Sequence, residues 1–339
     1  LRRTAEEVKP DFWLMGEVIH GDYSRWVNGE TLHSVTNYAL HKALYSGHND
    51  HNYFEIAHTV KYLQNMGNLD LYNFVDNHDV ERIYTKLSNK AHFTPVHILL
   101  YTLPGVPSIY YGSEFGIEGR KERSSDDSLR PALSLDDYET ALGDNPCTAL
   151  IAALGQIRQH TPALSYGSYA ELHLTNRQFA FARDLNDVRV VVTVNNDDNA
   201  ASMDLPAGNA VEYIGALSGQ KVAVQDGRIN VTVPANSGEI WVPAGDMPEY
   251  KPFKVEISVK EETVTDEESI PADSEAPSSA TEPVHFDPNK SPEDMSVAEL
   301  QAAILAKMAN NGPVSDQMKK TVNENIWHDS LVNWLKSFR

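Results

Sequence analysis

The sequence predicts an α/β region that gives way to an all-β domain and ends in a short helical module. Three observations carry that reading. Short apolar runs alternate with helical stretches from residue 11 to about 160. Short β-rich runs separated by Asn, Asp and Gly turns occupy about 165–245. An acidic stretch with Pro, Ser and Ala then precedes a last segment of helical apolar spacing.

Within residues 1–160, Phe12–Ile19 reads as a buried strand and His33–Tyr38 as a weaker second one. Helical spacing follows through Ala39–Tyr45 and Tyr53–Met66. Leu69–Val75 alternates and predicts a third strand, followed by helical sequence at Val80–Leu87 and Phe93–Leu103. Val106–Tyr111 is a fourth strand closed by Gly112, and Cys147–His160 is a last helix. Strand–helix alternation of this kind predicts a parallel sheet with helices outside it. Four such units make half of an eightfold barrel, a fold that takes about 250 residues.

Residues 161–248 form the β-domain. Ala170–Leu174, Gln178–Arg183, Val188–Val194, Ala210–Tyr213, Ile229–Val233 and Glu239–Val242 predict a small antiparallel sandwich, with turns at Asn195–Asn199 and Asp226-Gly227. Residues 249–295 are expected to be a disordered linker: over 256–300, thirteen acids stand against Lys260 and Lys290. In 296–339, Ser296 is placed to cap a helix bearing Val297, Leu300, Ala303, Ile304 and Met308. Asn311-Gly312-Pro313 breaks it, and Ser315 caps a second helix with Met318, Val322, Ile326, Leu331, Trp334, Leu335 and Phe338 on one face. A two-helix module this small is expected to dock or to mediate oligomerisation.

The charge excludes some functions. The 339 residues hold 28 Lys plus Arg against 48 Asp plus Glu, a net −20. That balance disfavours nucleic acid and anionic membrane as partners and leaves a neutral or cationic small molecule as the easier one. More than half of it falls in the acidic tail, so it says little about a site. The longest apolar runs are strand-sized, too short to span a membrane as a helix. Cys147 is the only cysteine, which excludes an intramolecular disulfide and a Cys-based zinc site and suits a reducing, cytoplasmic setting. Residues 1–10 have no Met, no N-cap and no signal-peptide order, and read as the end of a helix stopped by Pro10. The chain is therefore expected to be the C-terminal part of a longer one, with any targeting signal upstream.

Two stretches at the C-terminal ends of predicted strands carry chemistry, where barrel enzymes place their catalytic groups. In Gly16-Glu17-Val18-Ile19-His20-Gly21, a carboxyl beside Phe12, Trp13, Leu14 and Met15 is expected to be desolvated, which favours the acid form that a general acid needs. A Glu ending a strand serves equally as a salt-bridge or capping group. Phe74-Val75-Asp76-Asn77-His78-Asp79 supplies two carboxylates and an imidazole. Its simpler reading is an Asx-type turn capping a helix that starts at Val80.

In this order, two strands apart, these segments resemble the α-amylase family of retaining glycoside hydrolases, which includes amylases, neopullulanases and cyclomaltodextrinases. Gly16-Glu17-Val18 is similar to the family's strand-five region, Ser34–Tyr38 to strand six, and Phe74–Asp79 to strand seven. Leu103–Glu114, with its Leu-Pro-Gly-Val-Pro, is similar to strand eight. The resemblance runs over about residues 1–135. It implies the C-terminal half of a (β/α)8 TIM barrel, with the sandwich as the family's C-terminal β-domain. It also implies that Glu17 is the acid/base, that Asp79 grips the sugar hydroxyls and favours the distorted ring, and that His78 donates to the same hydroxyls. Arg130, in Ser128-Leu129-Arg130-Pro131, is implied to help hold substrate. Tyr111, like Tyr110 and Tyr38, is a candidate for stacking on a sugar, although tyrosines on strands commonly belong to a core.

The sequence departs from the family at one point. Neither the Gly-x-Arg-x-Asp pattern of the nucleophile at strand four nor the Asp and His of strand three occurs in residues 1–339. A retaining enzyme needs an acid/base and a nucleophile about 5–5.5 Å apart, so this chain alone is expected to be inactive. The expected activity of the complete enzyme is hydrolysis of α-glucosidic bonds in starch- or glycogen-type oligosaccharides. A transglycosylase of the same family and a non-catalytic sugar-binding protein on the same fold are the alternatives. His20 and Trp26 read as surface loop. His48, His51 and His58, with Asp50 and Glu55, read as a solvated helix rather than a metal site. No cofactor is visible in the chain; the resemblance implies calcium only through the absent N-terminal half.

Overall fold

The structure, a computed structural model, describes residues 1–246, 290–292, 295–310, 322 and 335–336. Residues 1–246 lie in one compact unit, and the described residues from 290 onward belong to a second.

Four parallel strands run in chain order. β1 (Met15–Gly16) pairs with β2 (Ser34–Val35), and β3 (Tyr72–Phe74) with β4 (Val106–Ser108), in the registers Gly16 to Val35 and Phe74 to Ser108. A Thr36–Tyr72 bridge joins the two pairs. Among the described residues, β1 pairs only with β2 and β4 only with β3. Helices separate the strands: α1 (Arg2–Val8) precedes β1, while α2 (Tyr38–Asn49) and α3 (Tyr53–Gln64) lie between β2 and β3. α4 (Ile83–Lys86) and α5 (Phe93–Thr102) lie between β3 and β4, with α6 (Ala141–Asp144), α7 (Pro146–His160) and α8 (Pro162–Tyr166) after them.

Buried amides set the register across three of these strands. The Asn37 amide donates to Asn73 Oδ1 at 2.8 Å, and the Asn73 amide donates to the Pro104 carbonyl at 2.8 Å. Asn37 Oδ1 also accepts from Leu40 N–H and caps α2. Gly105, at φ +112°, turns the chain into β4. A Cβ there would sit 2.6 Å from the Leu71 carbonyl, the acceptor for Val106 N–H.

The strands are shorter than the sequence predicts, and Phe12–Ile19 is not a buried strand. Only Met15–Gly16 pairs, and Phe12, Trp13, Met15 and Ile19 are exposed. Phe12, Trp13 and Ile19 lie outside the paired residues, on extended or loop backbone flanking β1. The helix expected at Val80–Leu87 shrinks to Ile83–Lys86. Asn77 Oδ1 takes the N–H groups of Asp79 and Val80, Asp76 takes that of Ile83, and Arg82 is extended.

The histidine run is also corrected. His58 is exposed, but His48 is fully buried, bonded through its ring to the Leu44 carbonyl and the Tyr53 hydroxyl, because α2 and α3 bury these faces against α5. Glu55 pairs with Lys42 at 2.6 Å. Among the described residues no group of three or more His, Cys, Asp or Glu side chains is arranged to hold a metal ion.

The β-domain has two sheets. β5 (Ser168–Leu174), β6 (Gln178–Leu185), β7 (Val188–Asn195), β9 (Glu212–Gly215), β10 (Lys221–Ala223) and β12 (Ser237–Pro243) form a six-stranded antiparallel sheet of order β10-β9-β12-β7-β6-β5. β8 (Ala201–Pro206) pairs with β11 (Arg228–Val233). The sequence did not predict β8 or β10. In β8 only Met203 and Leu205 point inward, with Ser202 and Asp204 between and beside them on the exposed face, so its apolar signal is two residues long.

The large sheet is buried on both sides. Ala180, Val191 and Trp241 pack with Met203, Leu205, Ile229, Val231 and Val233 of the small sheet. Their strand neighbours Phe179, Phe181, Val190, Val192, Val194, Ile240 and Val242 join the core formed with α2, α3, α5 and α7. Alternation thus sends one set of side chains to each layer. Two arginines tie the same junction through backbone carbonyls. Arg183 donates to Thr102 and Gly167, and Arg158 to Tyr101, Leu164 and Gly105.

In the second unit, α9 (Val297–Asn310) opens with a capping box: Glu299 N–H donates to Ser296 Oγ at 3.3 Å and Ser296 N–H donates to Glu299 Oε2 at 2.7 Å. Leu300, Ala303 and Ile304 are buried with Met295, Val322 and Leu335. Of the disordered linker expected over 249–295, residues 249–289 and 293–294 lie outside the described residues, as does the body of the second tail helix, while Met295 is buried with α9. Among the described residues, no helix is long and apolar enough to cross a membrane.

Candidate active site

The parallel strands deliver polar residues to a single rim at their C-terminal ends. Glu17 follows β1, Tyr38 follows β2, Asp76–Asp79 follow β3 and Tyr110–Tyr111 follow β4. A continuous run of hydrogen bonds then crosses from β1 to the loop after β4. The Tyr38 hydroxyl donates to Glu17 Oε1 at 3.0 Å and accepts from Asn77 Nδ2 at 3.1 Å. Asn77 Oδ1 accepts the N–H groups of Asp79 and Val80, forming an Asx turn. Arg130 then grips the turn, donating to Asp79 Oδ1 at 2.8 Å and to the His78 carbonyl at 3.0 Å. Its other partner is Asp126, which Lys121 also holds at 2.5 Å. His78 Nε2 lies 3.4 Å from Asp79 Oδ2.

Glu17, Asp79, His78 and Arg130 are therefore brought together, with Arg130 paired to Asp79. Tyr111 is exposed on the same rim, its hydroxyl donating to the Pro131 carbonyl at 2.9 Å. His20 and Trp26 are exposed on the loop between β1 and β2. The expected apolar setting for Glu17 is absent, since Glu17, Trp13 and Met15 are all exposed. What meets the carboxyl instead is a phenol. Burial holds the Tyr38 phenol above its ordinary range; the Asn77 amide opposes this, and the nearby Glu17 and Asp79 carboxylates add to it.

Beneath the rim is a buried polar knot that the sequence reading missed. Asp76, 1% exposed, accepts from Ile83 N–H at 2.7 Å and from Ser113 Oγ at 2.8–2.9 Å. Burial pushes its carboxyl up to about 6, against the opposing pull of those donors and of Arg82. Arg82, fully buried, donates to the Tyr111 and Leu129 carbonyls and to Ser113 Oγ, with its guanidinium 4.2 Å from the Tyr110 ring centre. This stack makes Tyr110 a packing residue. One signal pointed to Asp76: it keeps the inward phase of Phe74, two residues before it.

Chemically, the rim offers one accessible carboxyl aimed by a phenol, a second carboxylate fixed by a guanidinium, and an imidazole beside it. That set can exchange a proton with one atom of a bound molecule while gripping its hydroxyl groups.

Comparison with known proteins places the two domains in a family. The profile described as "Alpha amylase, catalytic domain" matches residues 1–165, and that described as "Alpha-amylase C-terminal domain" matches 167–241. Neopullulanase 2 of Thermoactinomyces vulgaris is 26% identical over 250 residues, covering 70% of this chain and 41% of that protein. The cyclomaltodextrinase of Thermoanaerobacter pseudethanolicus is 28% identical over 202 residues, covering 58% of this chain and 34% of its own length. The chain thus spans well under half of these relatives. Among solved structures, an Anoxybacillus α-amylase superimposes with a TM-score of 0.62 at 21% identity, over 74% of this chain and 55% of that one. The α-amylase of H. orenii gives 0.60 at 22% identity, over 71% and 55%. From catalytic-domain strands to C-terminal sheet domain, the chain belongs to the α-amylase family.

Proposed function

We propose that this chain contributes the acid/base and the sugar-gripping carboxylate of a retaining glycoside hydrolase acting on α-glucosidic bonds of starch- or glycogen-type oligosaccharides. Glu17 protonates the glycosidic oxygen and then activates water. Asp79 grips the ring hydroxyls as charge develops on the sugar, and His78 donates to the same hydroxyls. Arg130 keeps Asp79 in place, and Tyr111 offers an exposed aromatic face to the sugar. The observation that carries this reading is the unbroken hydrogen-bond run from Glu17 through Tyr38 and Asn77 to the Asp79–Arg130 pair.

The nucleophile belongs, on this reading, to sequence outside residues 1–339, because no Gly-x-Arg-x-Asp pattern occurs within them. The chain alone then binds glucans without turning them over. Glucan-acting relatives such as neopullulanase and cyclomaltodextrinase support the substrate class.

The test reads the coding sequence upstream of Leu1 and expresses the extended chain with E17Q and D79N. Turnover of maltooligosaccharides and cyclodextrins is expected to fall by about 10²–10⁴-fold in E17Q, the usual contribution of a general acid. Unchanged turnover in both variants would overturn the proposal. Products longer than the substrate would assign transfer rather than hydrolysis. An upstream region with the nucleophile replaced, in a protein that still binds maltoheptaose, would assign a sugar-binding protein.

A further inference from the structure

We propose that Tyr38 and Asn77 are positioning residues, a hydrogen-bond relay that aims the Glu17 carboxyl and ties it to the turn carrying Asp79. The functional meaning of the relay rests on the reading of Glu17 and Asp79 given above, while its existence does not.

The direction of every proton in the relay is fixed by its surroundings. Asn77 Oδ1 accepts two backbone N–H groups, from Asp79 at 2.9 Å and Val80 at 3.1 Å. The other end of that amide must therefore be its NH2, which donates to the Tyr38 oxygen at 3.1 Å. A phenol has one proton. With an amide N–H already directed at the oxygen, that proton goes to Glu17 Oε1 at 3.0 Å, an oxygen that accepts in the carboxylate and, with the acid proton on Oε2, in the carboxylic acid as well. The backbone of the Asp79 turn thus orients an amide, the amide orients a hydroxyl, and the hydroxyl orients the carboxyl.

Packing holds the middle member still. The Tyr38 ring meets Phe74 of β3 edge-on, centroids 4.9 Å apart, and meets His41 at 6.0 Å. His41 is buried, and burial lowers its imidazole to about 3, with Lys86 adding to the effect, so it stays neutral beside the phenol. The charged groups facing Tyr38 are thus Glu17 after β1 and Asp79 after β3. A displacement of the Asp79 turn, such as a sugar drawing on Asp79, is transmitted through Asn77 and Tyr38 to Glu17.

The test places 3-fluorotyrosine at position 38 of the full 339-residue chain, because this phenol titrates closer to neutrality than tyrosine, and follows its ¹⁹F resonance through an alkaline titration. E17Q removes the negative acceptor, and the position-38 midpoint is expected to fall by about half a pH unit or more. N77A removes the donor that supports the phenolate, and the midpoint is expected to rise. Opposite shifts in the two variants are the signature of the relay; general loosening would not produce them. A midpoint unmoved by E17Q overturns the proposal, and E17Q decides alone if N77A does not fold. Maltoheptaose binding by the same chain is measured separately. Shifts at position 38 without glucan binding leave the relay standing and remove the functional reading; binding without shifts does the reverse.

Discussion

Replacing Asp76 with asparagine tests the buried knot beneath the rim. The Asp76 carboxyl is held at about 6 against an ordinary 3.8, because burial outweighs the donors around it. The folded state therefore keeps a proton that the unfolded chain has already released. Stability from this group is fully present well below about pH 4 and is lost as the pH rises through 6. A difference of roughly two pH units, at about 1.4 kcal/mol each, makes the loss about 3 kcal/mol. The asparagine side chain keeps the shape and one oxygen for Ile83 N–H, and it does not titrate. The unfolding free energy of D76N minus that of the wild type is thus expected to rise by about 2 kcal/mol between pH 4 and pH 7, the rest of the change lying below pH 4. The assay is urea unfolding at half-unit pH steps, followed by tryptophan fluorescence and far-ultraviolet circular dichroism. The other carboxylates titrate equally in both proteins and cancel in the difference. A difference that stays flat with pH, or falls as pH rises, would refute this account of Asp76 and show that Ser113, Ile83 and Arg82 stabilise the carboxylate at least as much as burial destabilises it.

Three further outcomes are expected. G105A puts a side chain at φ +112° with its Cβ 2.6 Å from the Leu71 carbonyl, and thermal unfolding should show a loss of at least about 2 kcal/mol. R183M removes a 2%-exposed guanidinium that joins Thr102 and Gly167; the carbonyls left without a donor should cost about 2–4 kcal/mol in denaturant unfolding. R130A deletes the Asp79 partner at a half-exposed position. Stability should then change by less than about 1 kcal/mol. Calorimetry should meanwhile show maltoheptaose affinity falling roughly tenfold or more, as misplacement of a gripping group implies.

Element order was legible because local patterning carries it. The runs around Leu71–Phe74 and Val188–Val194 are rich in strand-forming residues, and Ser296 announces the helix it caps, whereas Asn37 read as the end of a strand and proved to be the cap of α2. The ends of elements were less legible, because they depend on distant groups. Asn77 does claim the Asp79 and Val80 amides in the Asx-type turn read from the sequence, but nothing local to Val80 says that Asp76 will claim the Ile83 amide and delay the helix. β8 was invisible because a strand at the margin of a small sheet needs only Met203 and Leu205 to be apolar. At the rim, Glu17, His78 and Asp79 stood out by residue type at strand ends. The partnership of Arg130 with Asp79, fifty-one residues apart, had no local signature. Tyr38 was misleading for the opposite reason: its ring does pack, against Phe74, while its hydroxyl reaches the site.

The rim is held in place by polar groups more than by apolar packing. Asp76, Arg82 and Ser113 fasten the turn after β3 to the loops after β4 through buried hydrogen bonds, and Arg82 Nε has no partner among the described residues. Such a knot is costly: burial raises Asp76, and an unpartnered buried N–H carries a desolvation penalty. An apolar cluster at the same place would stabilise the fold at least as well, but it would not fix the direction of the turn, because apolar contacts are non-directional. Directional bonds leave the Asn77 amide and the Asp79 carboxylate in one orientation, and that orientation is what the groups above them require. Stability given up beneath the rim is thus the counterpart of geometry gained on it. Substitutions that relieve the knot are accordingly expected to separate the two, raising resistance to denaturant while loosening the grip on sugar.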